Sequence, residues 1–162
     1  MSSEQIDLTQ FLNQHYLCES LTVKEVQSLL EYTELVIFNK GEIIANIGDI
    51  GEALFFVVKG EAGLFYDDGT REREVGRMLE GELMGEMSFF DQEPRLLRMR
   101  ALSHDTQLLK LTRPLYRRLR IEHPFIAVNL LEHAIVSLDH LVRRVSKEGA
   151  SMESYMFGPG RR

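Results

Sequence analysis

The sequence predicts an α+β fold in which a β-roll or sandwich is flanked by helices, and three observations carry that expectation. Short apolar or alternating runs fill the middle of the chain from about Val36 to Leu111, punctuated by glycines from Gly41 to Gly85. A helix-capping signature precedes them. Two proline-led apolar patterns follow, the second long and periodic.

Thr22 followed by Glu25 reads as a capping box, and Val26, Leu29 and Leu30 form the apolar stripe behind it, which places an N-terminal helix within residues 20–35. The β-roll is expected over 36–112. Its runs are Val36-Ile37-Phe38, Ile43-Ile44, Leu54 to Val58, Ala62 to Tyr66 and Leu108 to Leu111, with glycines at 41, 48, 51, 60, 63, 69, 76, 81 and 85. Asp68-Gly69, set between LFY and the polar REREV, predicts a hairpin tip with a two-residue turn. Helices return over 113–148, with Pro114 and Pro124 each in the first turn of one. Residues 1–148 then form one domain, and 149–162 a flexible tail unlike a helix, with Tyr155, Phe157, Gly158 and Pro159 in it.

The last helix carries a heptad pattern. With Val128, Ile135 and Val142 at position a, Leu131, Leu138 and Val145 fall at d, and β-branched a with mostly leucine d favours two parallel strands. A homodimer through this helix is the expectation. The competing arrangement packs this same stripe on the chain's own β-roll; Ala127, Leu130, Ala134 and Leu141 form a neighbouring stripe that can face the roll instead, so that both surfaces are used at once.

Composition limits the partners. The chain has 162 residues, 44% hydrophobic and 27% charged, enough for one domain with a true core. A formal net charge of −6 offers no attraction to a phosphate backbone, so direct nucleic-acid binding is not expected. A lone cysteine, Cys18, and a start without a basic, apolar leader point to the cytoplasm, and no run is long enough to span a membrane. His15, His104, His123, His133 and His140 show no close spacing with carboxylates that would build a metal site, and Cys18 lies near His15, but a nucleophile and its base need a geometry that sequence proximity does not supply. Neither a catalytic residue nor a metal is expected.

One segment carries ligand chemistry, GELMGEMSFFDQEPRLLRMRA from Gly81 to Ala101. Gly85 ahead of Glu86 lets the backbone approach a small molecule closely, and Pro94 fixes the chain direction ahead of Arg95. Arginine grips a phosphate through two parallel charge-assisted hydrogen bonds, while a carboxylate accepts from sugar hydroxyls.

These residues resemble the cyclic nucleotide-binding domains of the catabolite-activator and kinase regulatory-subunit type, over about Leu21 to Lys147. Gly41-Glu42, Gly48-Asp49 and LFFVVKGEAGLF, Leu54 to Phe65, look like the early strands of that family. Glu80-Gly81-Glu82 and Met84-Gly85-Glu86-Met87 resemble the approach to its phosphate-binding cassette, Pro94-Arg95 its far end, and the eight intervening residues its usual length. The resemblance implies a jelly-roll, cupin-like β-roll whose C-terminal helices close over cyclic AMP or cyclic GMP. It implies that Glu86 takes the ribose 2′-hydroxyl, Arg95 the cyclic phosphate, and Gly85 and Met87 backbone contacts.

The sequence departs from the family directly after Arg95. Leu96 and Leu97 stand where small or hydroxylated residues are usual, and Arg98 is a further oddity. Two functions follow from this balance: a cyclic nucleotide sensor, or a degenerate pocket in a constitutive dimeric interaction scaffold. Only SKEGASMESYMFGPGRR follows Val145, so a stand-alone module without a DNA-reading domain is expected, its output passing to an unknown partner protein.

Overall fold

The computed structural model describes residues 8–9 and 20–157, with the backbone alone for 140–142 and 144–157. Cys18 lies outside the described residues. Helix α1, Val23–Glu31, begins where the capping box puts it: the Thr22 hydroxyl accepts from the Glu25 N–H (3.1 Å), and the Glu25 carboxylate accepts from the Thr22 N–H (2.9 Å). Its Val26, Leu29 and Leu30 are buried.

Eight strands follow: β1 (Glu34–Phe38), β2 (Ile43–Ala45), β3 (Ala53–Lys59), β4 (Ala62–Asp67), β5 (Glu72–Met78), β6 (Leu83–Met84), β7 (Arg98–Ala101) and β8 (Thr106–Thr112). They pair antiparallel in two four-stranded sheets, ordered β1-β8-β3-β6 and β2-β7-β4-β5. A short helix, α2 (Glu86–Asp91), interrupts the strands between β6 and β7. Helices α3 (Arg113–Glu122) and α4 (Pro124–Phe157) close the chain, and both begin at or beside the expected prolines.

Strand β3 explains the two-layered core. Its residues Ala53 to Val57 are buried without a break, because the strand is covered on both faces. Leu54 and Phe56 point to the helix layer, where they meet Leu29 of α1, Leu119 of α3 and Leu130 of α4. Ala53, Phe55 and Val57 point the other way, into the space between the sheets with Leu64, Met78, Met84 and Met99. Each such fully buried side chain contributes about 1.5–3 kcal/mol of burial.

Two local expectations need correction. The hairpin tip does lie at Asp68-Gly69, yet the strand ladder already stops at Asp67 with Glu72, and the residues between are closed by a bond from the Asp68 N–H to the Arg71 carbonyl (3.2 Å). The Asp68 carboxylate accepts from the Thr70 hydroxyl (2.6 Å) and from the backbone N–H of Thr70 (2.9 Å) and Arg71 (3.0 Å), stabilising that loop. These bonds, the Thr70 hydroxyl foremost, pull its pKa down to about 2. Second, α4 continues through Phe157 past the expected end at 148, so 149–157 are helical. Gly149 alone costs only about 1 kcal/mol in a helix, and good helix formers flank it, whereas the next proline is Pro159. Residues 158–162 lie outside the described residues.

The face of α4 that meets the roll is the one the neighbouring stripe offered. Ala127, Leu130 and Ala134 are buried in the helix-layer core, so the neighbouring stripe is the one that packs on the chain itself. Leu131, expected at the seam, is half-buried against that same core, and Leu138 is half-buried. Val128 (51% exposed) and Ile135 (65% exposed) remain open to solvent. The side chains of Leu141, Val142 and Val145 lie outside the described residues.

Candidate ligand site

Helix α2 is only six residues long, and what surrounds it fixes its position. Gly85 precedes it in the left-handed conformation (φ 93°), and a Cβ there would sit 3.1 Å from the Ala53 carbonyl oxygen. Both facts demand glycine. On the opposite side a Cβ on Gly51 would meet the backbone of Ser88 and Phe89 at 2.7 Å, so the loop before β3 lies directly on α2. Ser88 stitches the two together, its hydroxyl accepting from the Gly51 N–H (2.6 Å) and donating to the Glu93 carbonyl (2.5 Å). Arg113, first residue of α3, donates to the Phe89 carbonyl (2.5 Å) and to the Gly51 carbonyl, and lies over the Phe89 ring at 4.8 Å. The helix is held from two sides.

Arg95 is anchored by its backbone. Its N–H donates to the Asp49 carbonyl (2.8 Å), and its own carbonyl accepts from the Gly48 N–H (2.8 Å), while Pro94 bridges to Ile50. The side chain is 8% exposed. Its guanidinium donates to the Gly85 carbonyl at 3.3 Å and the Ala53 carbonyl at 3.4 Å, both long for such bonds. Burial pushes its pKa below the usual guanidinium value, and the carboxylates of Asp49 and Glu86 counter that push.

Glu86, first residue of α2, is 4% exposed. One carboxylate oxygen, Oε1, accepts from the Ser137 hydroxyl of α4 (3.1 Å), and the other, Oε2, is buried with no hydrogen-bond partner. Burial raises its pKa. Its own backbone N–H, the Ser137 hydroxyl and Arg95 act against that rise. Among the described residues no ion pair joins Glu86 to Arg95. Two buried, oppositely charged groups thus face a common space without satisfying one another.

That space is a cavity of about 430 Å³, within the range of small-molecule pockets. Gly85, Glu86, Met87, Pro94, Arg95, Leu96 and Leu97 all line it, so the structure brings every sequence-predicted ligand residue together. Its apolar wall is Leu64, Met78, Met84 and Met99, residues of the core between the sheets. Leu96 is 69% exposed and Leu97 packs half-buried against that core, so the two leucines line the cavity without filling it. Arg98 is not part of the site. Strand alternation sends Met99 and Ala101 inward and Arg98 outward, where it donates to Asn46 Oδ1 (2.8 Å) and pairs with Glu72.

The sequence reading missed Ser88, Arg113 and Ser137. Ser137 left a trace, as the polar residue that follows Ala127, Leu130 and Ala134 on the same helical stripe. Ser88 and Arg113 left none, because their partners are far away in the chain. Among the described residues no group of three or more His, Cys, Asp or Glu converges as a metal site would require, and no helix is long and apolar enough to cross a membrane.

The family model of the cyclic nucleotide-binding domain matches residues 35–123, which run from β1 to the residue before α4 and include every residue that lines the cavity. The chain belongs to the cyclic nucleotide-binding domain family. It is 36% identical over 115 residues to the cyclic AMP receptor protein of Thermus thermophilus, a match spanning 70% of this chain and 53% of that protein. The crystal structure of the Thermus thermophilus catabolite activator protein superposes with a TM-score of 0.67 and 32% identity over 87% of this chain and 63% of that one. A cyclic nucleotide-binding domain from Methylobacillus flagellatus shares the fold with a TM-score of 0.77 at 21% identity, covering 90% of this chain and 82% of that one. The chain spans about half the length of the receptor protein it matches.

Proposed function

We propose that the chain is a regulatory module that senses a cyclic nucleotide, cyclic AMP or cyclic GMP, in the cavity between α2 and β7. Arg95 would take the cyclic phosphate, for which its guanidinium has donors beyond the two long bonds to carbonyls. Glu86 would accept a sugar hydroxyl at Oε2, and the apolar wall of Met78, Met84 and Met99 would cover the less polar parts of the ligand. The observation that supports this reading most is the orphaned Oε2, a buried acceptor that costs about 1–3 kcal/mol until a ligand donor satisfies it. No catalytic step belongs to this reading.

Output runs through α4, which contacts the site at Ser137 and exposes Val128 and Ile135 elsewhere on its surface. A parallel homodimer through that face, in the cytoplasm, would pass ligand occupancy to a partner protein. A ligand that binds the two positions of α4 unequally shifts their populations by that difference and no more.

Calorimetric titration of the full chain with cyclic AMP and with cyclic GMP tests the reading. Saturable binding of one nucleotide per chain is expected. No heat from either up to about millimolar concentration would sink the sensor reading and leave the dimeric scaffold, in which Leu96 and Leu97 mark a retired pocket.

A further inference from the structure

We infer that Ser137 is a positioning residue for the ligand-facing carboxylate, through which α4 holds and reads Glu86. The inference rests on the cavity being the ligand site. Glu86 lines the cavity, and its two oxygens differ: Oε1 accepts from α4, whereas Oε2 is buried without a partner. Helix and ligand therefore meet on one carboxylate.

The Ser137 hydroxyl has a second acceptor in reach. It lies 3.1 Å from Glu86 Oε1 and 3.3 Å from the Leu83 carbonyl oxygen, and one hydroxyl proton serves one of them well at a time. An ionised carboxylate is the stronger acceptor and takes that proton. Once Glu86 is protonated, the carbonyl of Leu83 competes better. The hydroxyl then has two arrangements, both tethering α4 to the segment that joins β6 to α2, and the state of Glu86 decides between them. A ligand hydroxyl is held more strongly by the ionised carboxylate, so a bond that favours ionised Glu86 also favours the ligand.

The charged surroundings are few. Arg95 is the charged group acting on Glu86 among the described residues. On α4 the titratable neighbours of Ser137 are His133, one turn earlier, and Asp139, which is paired with Arg143 (3.2 Å). On β6, Leu83 and Met84 carry no charge. Because His133 is itself a titratable neighbour, the readout must be the Glu86 carboxyl.

The test is a carbon NMR titration of the Glu86 side-chain carboxyl in the ligand-free full chain, for wild type, Ser137→Ala and Ser137→Thr. Loss of the hydroxyl removes a donor that favours the ionised form, so the midpoint moves upward in Ser137→Ala and stays with wild type in Ser137→Thr. With cyclic AMP or cyclic GMP present, Ser137→Ala weakens binding about two- to tenfold, and Ser137→Thr restores it. An unchanged midpoint in Ser137→Ala overturns the inference, as does a midpoint that moves equally in both variants, which would mark a packing effect. If wild type binds neither nucleotide, the sensor reading falls, and the ligand-free titration still decides the role of Ser137.

Discussion

Replacing Arg95 with alanine is the perturbation that bears most directly on the site. The guanidinium is 8% exposed, so its bonds to a ligand anion form away from bulk solvent and escape most salt screening. Its present partners are two carbonyls at 3.3 and 3.4 Å, long enough that little is lost when a better acceptor arrives. A charge-assisted hydrogen bond in such a setting is worth about 1.5–3 kcal/mol. At about 1.4 kcal/mol per decade, Arg95→Ala weakens cyclic nucleotide binding roughly 10- to 150-fold. Removing Arg95 also removes the cation that favours ionised Glu86, which adds to the loss at the sugar end. Arg95→Lys keeps the charge without the planar fork and should fall between. Calorimetry at fixed salt measures all three proteins, with thermal melts to show that each is folded. Equal affinity in a folded Arg95→Ala protein would refute the assignment of Arg95 to the anion.

Three other outcomes follow from the same coordinates. Burial raises the Glu86 pKa above its unfolded value, so the folded state holds that proton more tightly and stability declines as pH rises from the unfolded value through the folded one; Glu86→Gln removes this decline, read as urea midpoints across that pH interval. Ile135, 65% exposed, tolerates a charge without harm to the fold, so Ile135→Asp converts a dimer to a monomer in sedimentation experiments while the melting temperature of the monomer holds. Thr22→Ala breaks one half of the capping box and destabilises the chain by about 1 kcal/mol in urea unfolding.

What the sequence disclosed was local. The capping box, the prolines that open α3 and α4, and the run from Leu54 to Val57 all depend on neighbours within a few positions, and each forms the expected element. Gly85, Glu86 and Arg95 were legible because the family keeps them in one short segment. The braces of the site were not. Ser88 bonds to Gly51, Arg113 to Phe89 and Ser137 to Glu86, contacts that exist only after the sheets and helices have met. The two faces of α4 were harder to assign for a related reason: two apolar stripes lie side by side, and it is the β-roll that takes Ala127, Leu130 and Ala134. Nothing in a periodicity names the partner.

Strand β3 has a practical corollary for anyone trimming this protein. Leu54 and Phe56 belong to one compartment and Phe55 and Val57 to another, so the same strand walls off both. An excised fragment of residues 36–112 would keep every strand pair from Val36 onward and still present Leu54, Phe56, Leu109 and Leu111 bare to water. Such a sheet face invites self-association. The smallest expressible unit therefore starts before α1 and extends into α4, and a reporter is better spliced into the exposed loop at Asp68-Gly69 than joined to a shortened end.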